Sequence, residues 1–87
     1  MFFIMLYYTY IIFSSTLNSY YIGSTENLDN RVIQHNNSNG SKFTKRAKDW
    51  ELVYSETFET RAEAQAREYS IKRKKSRVYI AWLIGNR

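Results

Sequence analysis

The sequence predicts an α+β fold in which helices flank a small three-stranded antiparallel sheet, with elements in the order β-β-α-β-α-α. Two strand-like segments near the start of the chain are separated by a polar turn. A third segment alternates apolar and polar residues, and the later segments carry helix-capping patterns. The chain has 87 residues, enough for one hydrophobic core, so we predict a single domain over residues 1–87.

A hairpin and a helix are predicted in the first half of the chain. Residues 6–13, LYYTYIIF, and Tyr20 to Ile22 are rich in aromatic and β-branched side chains, and SSTLNS between them predicts the turn. A helix is expected from about Asn27 to Asn36, where the polar stretch NNSNGS ends it. Ser24 or Thr25 is expected to cap the start of this helix.

A basic loop and a third strand follow. Residues 36–48 form the loop, and residues 50–58, WELVYSETF, form the strand. Because side chains alternate along a strand, Val53 is expected on one face and three larger apolar side chains on the other. These three are Trp50, Leu52 and Tyr54.

Both final helices begin with a capping signal. Thr60 and Glu63, three residues apart, predict a capping box for a helix from Arg61 to about Lys75. Ser76 is expected to cap the last helix, which ends at Gly85. The apolar face of that helix carries Ile80, Leu83 and Ile84.

The composition excludes several classes of protein. The chain has no cysteine, which excludes disulfide scaffolds, a disulfide-linked partner and thiolate zinc sites, and is typical of a reducing cytoplasm. The apolar opening MFFIMLYYTYIIF supplies only about half of the ~20 residues that a membrane-spanning helix needs. We therefore expect a buried strand in this segment and no membrane partner.

The charge distribution indicates a polyanionic partner. Thirteen Lys and Arg against eight Asp and Glu give a net charge of +5, and the first thirty residues contain no basic side chain. This segregation is typical of nucleic-acid-binding surfaces, although a basic surface that only keeps a small protein soluble has the same composition. The candidate nucleic-acid-binding residues are Lys42, Lys45, Arg46, Lys48, Lys72, Arg73, Lys74, Lys75 and Arg77, and Arg67 lies in the same basic segment as the last five.

The first predicted helix has polar side chains on its apolar face. Leu28, Val32 and His35 fall within a narrow arc of the helix, and Arg31 lies at the edge of that arc. Either polar residue alone is ordinary at such a position, because Arg31 can extend to solvent and His35 can favour the helix C-terminus. They become candidate functional residues because of the groups on neighbouring elements.

Other groups with suitable chemistry lie on neighbouring predicted elements. Tyr10 belongs to the first strand and Tyr21 to the second, although half-buried tyrosines are ordinary strand residues. Glu68 lies between Ala64 and Ile71 on one line of a later helix, and the periodicity leaves open which face of that helix is buried. These groups are placed so that they could converge with the first helix over the sheet.

The motifs resemble the GIY-YIG nuclease family, in particular its small stand-alone members. Residues 21–23, YIG, match the second half of the name-giving motif, and residues 8–10, YTY, stand at the first half. Tyr8 and Thr9 replace the Gly and Ile of that half, while the terminal Tyr10 is kept.

The remaining motifs follow in the same order. Arg31 and, four residues later, His35 are similar to the family's Arg and His, and Glu68 matches its metal-binding glutamate. The resemblance spans about residues 7–84. Many members have an Asn beyond the glutamate, and Asn86 is the only later Asn here.

The resemblance implies a metal-dependent endonuclease that hydrolyses phosphodiester bonds in DNA, with RNA as the second candidate partner. Glu68 would hold one Mg²⁺ or Mn²⁺, and Arg31 would bind the scissile phosphate. Tyr10 is the candidate general base, while His35 would either accept the proton directly or hold Tyr10 in place. Tyr21 would orient water or phosphate. The implied catalytic residues are Tyr10, Tyr21, Arg31, His35 and Glu68.

Two other functions fit the sequence less well. A non-catalytic nucleic-acid-binding module would use the same fold and the same basic surface without cleavage. A small basic ribosome-associated protein is favoured only by size and charge. The complete set of catalytic candidates favours the nuclease, because binding alone needs no carboxylate near phosphate.

Overall fold

The computed structural model describes residues 5–86, and it confirms the predicted α+β class and element order. The three strands are antiparallel, and β1 is central in the sheet order β2-β1-β3. The elements are β1 (Tyr7–Ser14), β2 (Ser19–Thr25), α1 (Leu28–Asn36), a 3₁₀ turn (Thr44–Arg46), β3 (Trp50–Phe58), α2 (Arg61–Lys74) and α3 (Arg77–Gly85).

Alternate side chains of the central strand enter two separate cores. Tyr10 and Ile12 pack on one face of the sheet with Trp50, beneath α1 and the loop that follows it. Ile11 points to the opposite face, where it packs against Ile71 of α2 and the apolar face of α3. The sheet is therefore covered on both faces, and we call these the α1 face and the α2–α3 face.

The predicted alternation along β3 is wrong because the strand contains an extra residue. Ile11 pairs with Tyr54 and Ile12 with Leu52, so Val53 is inserted between two pairs of the β1–β3 ladder. Val53 and Tyr54 both pack in the core of the α2–α3 face, and Leu52 is 41% exposed. Trp50 alone of the predicted set lies in the core of the α1 face.

Helix caps are partly as predicted. The Thr60 hydroxyl accepts a hydrogen bond from the Glu63 amide, and Ser76 caps α3 in the same way, which confirms both signals. The start of α1 differs, because Asn27 is its cap and its side chain accepts from the Asn30 amide. The expected caps are both in β2, which extends to Thr25 and is longer than predicted.

The start of the described chain differs from the expected buried strand. β1 begins at Tyr7, and Met5 and Leu6 before it are 57% and 36% exposed. The earlier residues of the apolar opening, 1–4, lie outside the described residues. No helix within residues 5–86 is long and apolar enough to cross a membrane.

A single carboxylate fixes the β1–β2 turn to the start of β3. Asp49 accepts hydrogen bonds from the hydroxyls of Ser14 at 2.6 Å and Ser15 at 3.0 Å, and from the backbone and hydroxyl of Thr16 at 2.9 Å each. These donors, the Ser14 hydroxyl first, hold the pKa of Asp49 well below its usual range.

We expect Asp49→Asn to lower the urea midpoint of unfolding at pH 7. The native pKa of Asp49 is below that of the same carboxyl in the unfolded chain, so its stabilisation is complete at neutral pH and is lost as the pH falls below about 4. The difference between parent and variant should accordingly shrink between about pH 4 and about pH 2. Glu51→Gln, at an exposed carboxylate on β3, is the control. Equal midpoints of parent and Asp49→Asn at pH 7 would contradict this role.

Candidate active site

The site begins at Tyr10, whose ring crosses the neighbouring strand at a glycine. Tyr10 on β1 pairs with Gly23 on β2. A Cβ atom on residue 23 would lie 2.5 Å from the Tyr10 hydroxyl oxygen and 2.6 Å from Cζ, so any larger residue would displace the ring. The glycine of the YIG motif thus gives the tyrosine its place, and Tyr10 is only 1% exposed.

His35 is fully buried in the last turn of α1 and bonds to Tyr10 across the α1 face. Its Nε2 lies 2.8 Å from the Tyr10 hydroxyl oxygen, and its Nδ1 lies 2.8 Å from Thr44 Oγ1. Both ring nitrogens are therefore satisfied by buried hydroxyls, and the imidazole has one fixed orientation.

Thr44 holds the imidazole of His35 in place from the loop after α1. Its hydroxyl donates to the Ser41 carbonyl at 3.2 Å and accepts from the Ser41 amide at 2.9 Å. With the hydroxyl hydrogen on the Ser41 carbonyl, Nδ1 of His35 is the donor to Thr44, and Nε2 is left to accept the hydrogen of Tyr10. A Cβ atom at Gly40 would lie 2.5 Å from Thr44 Oγ1, so a glycine allows this close packing. Trp50 Nε1 donates to the Thr44 carbonyl at 2.9 Å and closes the loop onto the sheet.

Burial keeps both members of the pair uncharged. It raises the pKa of Tyr10 to about 12, although a hydrogen bond from Arg31 and the positive charge of that residue act in the opposite direction. Burial also lowers the pKa of His35 to about 4, and the charge of Arg31 adds to this effect. At neutral pH Tyr10 is a protonated phenol and His35 a neutral imidazole, so nearby positive charge alone does not produce a tyrosinate.

Arg31 links the buried part of the site to a cleft at the protein surface. It is half-buried on α1, and its Nη1 donates to Gln34 Oε1 at 3.0 Å. The guanidinium lines a cleft at the junction of β2 and α1 together with Ser24, Asn27 and Asn30. A permanently charged group therefore lies between the buried Tyr10 and solvent.

Glu68, on α2, lies near Tyr21 and Tyr10 on the opposite side from α1. Its Oε2 accepts from Lys72 Nζ at 2.5 Å, and Lys72 Nζ lies 5.9 Å from the centroid of the Tyr21 ring. The Tyr21 ring in turn lies 5.0 Å from that of His35. The negative charge of Glu68 also acts on Tyr10, where it raises the pKa. The structure thus brings together all of the predicted catalytic residues.

Comparison with known proteins assigns the fold and motifs to one family. The sequence model of the GIY-YIG catalytic domain matches residues 6–80. This chain belongs to the GIY-YIG family. It is 44% identical over 66 residues to the UPF0213 protein YazA of Bacillus subtilis, covering 72% of this chain and 67% of that protein. It is 50% identical over 54 residues to the UPF0213 protein SERP0126 of Staphylococcus epidermidis, covering 62% and 66%.

A solved structure shows the same architecture. The solution NMR structure of the UPF0213 protein BH0048 from Bacillus halodurans matches with a TM-score of 0.59 and 30% identity, covering 95% of this chain and 86% of that one. The chain spans 66% of the length of several of the curated relatives that it matches. Such GIY-YIG domains act on nucleic acid in nucleases of this family.

The altered half of the GIY-YIG motif has a structural role in this chain. Thr9, which stands at the Ile of the motif, is fully buried on the α2–α3 face. Its hydroxyl donates to the Ala64 carbonyl at 2.6 Å and ties the first turn of α2 to β1. Asn86 lies away from these groups as the C-cap of α3, where its side chain donates to the Trp82 carbonyl.

The predicted basic residues differ in their contacts. Each of them is exposed, and within residues 5–86 Lys42, Lys45 and Lys48 have no ion-pair partner. Arg77 instead donates to the Asn18 carbonyl at 2.6 Å. Arg67, which the sequence analysis placed in the same basic segment, is half-buried and pairs with Glu56 at 2.8 Å. Lys72 pairs with Glu68 as described above. Within residues 5–86, the candidate cations without an ion pair therefore form two groups, one on the loop after α1 and one at the end of α2.

Sequence reasoning missed Thr44 and the pairing of Glu68 with Lys72. The second had a signal, because the two residues are four apart on a helix, the spacing at which opposite charges meet. Thr44 had none, since a threonine in a polar loop is ordinary and its contact with His35 depends on the path of the loop.

We expect the single histidine to titrate with a midpoint near pH 4 when its Hε1 resonance is followed by NMR. The native pKa is below the unfolded value of 6.5, so the unfolded chain takes up the proton first, and the free energy of unfolding should fall as the pH drops from 6.5 to about 4. Arg31→Gln should raise the midpoint, because one positive charge is removed. A midpoint near 6.5 in the folded parent would contradict the buried hydrogen-bonded imidazole.

Thr44→Val should destabilise the protein by about 1–3 kcal/mol, since it leaves the buried His35 Nδ1 and the part-buried Ser41 amide without their partner. Thr44→Ser keeps the hydroxyl and is the matched control. Urea unfolding measures the loss, and the ¹⁵N shifts of the imidazole report whether Nδ1 still carries the hydrogen. If the valine variant matched the serine variant in both measurements, Thr44 would not hold the imidazole.

Proposed function

We propose that this protein is a metal-dependent endonuclease that hydrolyses DNA phosphodiester bonds as a single GIY-YIG domain. The observation that supports this most is the meeting of a phenol, an imidazole, a guanidinium and a carboxylate around Tyr10. Binding to nucleic acid needs only positive charge, whereas hydrolysis needs a proton acceptor and stabilisation of charge on the phosphate. We further propose that the protein acts in the cytoplasm.

Glu68 is the residue proposed to hold the metal. Among residues 5–86, no group of three or more His, Cys, Asp or Glu could cage an ion, so a site built entirely from protein ligands does not fit. Mg²⁺ and Mn²⁺ fit a single carboxylate, because Mg²⁺ keeps several waters and completes its shell with phosphate oxygens. When bound, the ion would lower the pKa of a water and offset the charge of the phosphate. Lys72 must then leave the carboxylate that it neutralises in this structure.

Arg31 is proposed to bind the scissile phosphate. It lines a cleft that is open to solvent and carries its charge at any working pH. Its fork of N–H donors matches the geometry of phosphate oxygens, on which negative charge grows as water attacks. Tyr21, beside His35 and Lys72, is proposed to orient the water or the phosphate.

Tyr10 and His35 are proposed to act together as the base. Because Tyr10 is a protonated phenol, it can take a proton from water only as its own hydroxyl hydrogen moves to Nε2 of His35. The water O–H bond breaks, Tyr10 ends neutral and His35 ends as imidazolium. His35 is fully buried and would reach the water only through Tyr10, which disfavours direct acceptance of the water proton, one of the two roles that the sequence left open.

The alternative is a nucleic-acid-binding module without cleavage. One observation favours it, namely that Lys72 already neutralises Glu68, as a structural ion pair on a helix surface would.

The proposed substrate of the nuclease is DNA. RNA is the second candidate, because the unpaired cations of the loop attract phosphates and do not distinguish ribose from deoxyribose.

We expect Glu68→Gln to fold, to bind DNA at least as well as the parent, and to lose cleavage. The change keeps the shape of the side chain and removes the charge that would hold the metal and repel phosphate. Conversion of supercoiled to nicked plasmid in Mg²⁺ or Mn²⁺, with EDTA as the blank, measures cleavage, and a labelled duplex measures binding. Glu51→Gln is the control and should cleave like the parent.

Full metal-dependent cleavage by purified Glu68→Gln protein would remove the proposed metal site. Duplex binding without cleavage by the parent in either metal would favour the binding module instead.

A further inference from the structure

The outer surface of α2 and α3 carries exposed aromatic rings next to unpaired cations. We call it the aromatic–basic surface and define it by Tyr69, Arg73, Lys74, Tyr79 and Trp82. Tyr69 is 64% exposed and Trp82 is 58% exposed, which is unusual for side chains of this size. Within residues 5–86, neither Arg73 nor Lys74 forms an ion pair.

These side chains form one continuous surface. The Arg73 guanidinium lies 5.6 Å from the centroid of the Tyr69 ring, and Lys74 Nζ lies 5.3 Å from that of Tyr79. Tyr79 stacks on Trp82 with centroids 6.1 Å apart and ring planes 18° apart. A shallow cavity lined by Ser70, Arg73 and Lys74 lies beside the two cations.

This surface is distinct from the proposed active site. Ile71 of α2 is buried against the sheet, and residues two positions away on a helix point in nearly the opposite direction. Tyr69 and Arg73 therefore face outward. Glu68 lies three positions from Ile71, on the flank where its partner Lys72 approaches the Tyr21 ring.

The combination of open rings and cations matches a particular chemistry. A base stacks on an aromatic ring through its face, and phosphates are attracted to the cations beside it. Duplex DNA hides the faces of its bases within the stack, whereas a single strand exposes them. One face of the Trp82 indole stacks on Tyr79, and the exposure of the side chain leaves area for a base.

We propose that the aromatic–basic surface binds unpaired nucleotides, with a base stacked on Trp82 and phosphates held by Arg73 and Lys74. The inference deepens the proposed function and rests on it for its biological meaning, since it assigns the nuclease a substrate with a single-stranded segment. Binding itself needs no metal and no cleavage, so the two proposals can fail separately.

The two tryptophans make this binding directly measurable. Trp50 is 3% exposed and hydrogen-bonded in the core, whereas Trp82 is exposed, so a ligand that stacks on the surface changes the emission of Trp82 alone. In EDTA, titration with an oligothymidylate of about 12 nucleotides should quench the fluorescence, and a mixed-sequence duplex of the same length should quench it far less.

Trp82→Leu should abolish the quenching. It should also weaken oligothymidylate binding by about tenfold, as measured by the fluorescence anisotropy of a labelled strand.

A control variant and two control ligands distinguish base stacking from general attraction to anions. Val78→Ala changes an exposed apolar residue of the same helix and should leave binding unchanged. Equal quenching by the duplex, no quenching by the single strand, or unchanged affinity of Trp82→Leu would each overturn the proposal. A polyglutamate peptide that quenched as strongly as the oligonucleotide would assign the surface to an acidic protein partner and would also overturn it. Strong single-strand binding by a protein that fails to cleave would leave this inference standing and overturn only the proposed nuclease.

Discussion

The hydrogen bond between Tyr10 and His35 is the interaction on which the site depends. It joins the central strand to the last turn of α1 at 2.8 Å, with both side chains buried. A buried polar group without a partner is costly, so removing either hydrogen-bonding group destabilises the fold. The strand, the helix and, through Thr44, the loop after the helix are thereby held in one arrangement.

The requirements of this bond explain the small residues around it. Gly23 leaves room for the tyrosine ring, and Gly40 leaves room for the contact between His35 and Thr44. The same loop carries the unpaired cations Lys42 and Lys45. The buried hydrogen-bonded chain therefore also fixes where the loop presents its positive charge to a polyanion.

The sequence was most informative where the signal is local. The capping residues Thr60 and Ser76 and the strand segments were predictable, because each depends on a few neighbouring residues. The bulge at Val53 was not, since it arises from the register between β1 and β3, and alternation within one strand carries no information about it. The role of Thr44 was equally hidden, because its partners are set by the path of a loop. The site residues were found for a different reason: their individual patterns were ordinary, and it was their order along the chain that resembled a family.

The structure adds the mutual distances of the site residues and their charges. The protonated state of Tyr10 follows from burial, which no sequence pattern shows. It makes His35 the proposed acceptor of the tyrosine hydrogen, where the sequence alone left a direct base as an equal alternative.

The single-turnover rate of DNA cleavage by Tyr10→Phe tests the central role of this hydroxyl most directly. The variant removes one hydroxyl, and Tyr8→Phe, at a half-buried tyrosine on the same strand and face, is its matched control. We predict that Tyr10→Phe remains folded, binds DNA and cleaves at least about a hundredfold more slowly, while Tyr8→Phe cleaves at close to the parent rate. Cleavage by Tyr10→Phe at the parent rate would contradict this role.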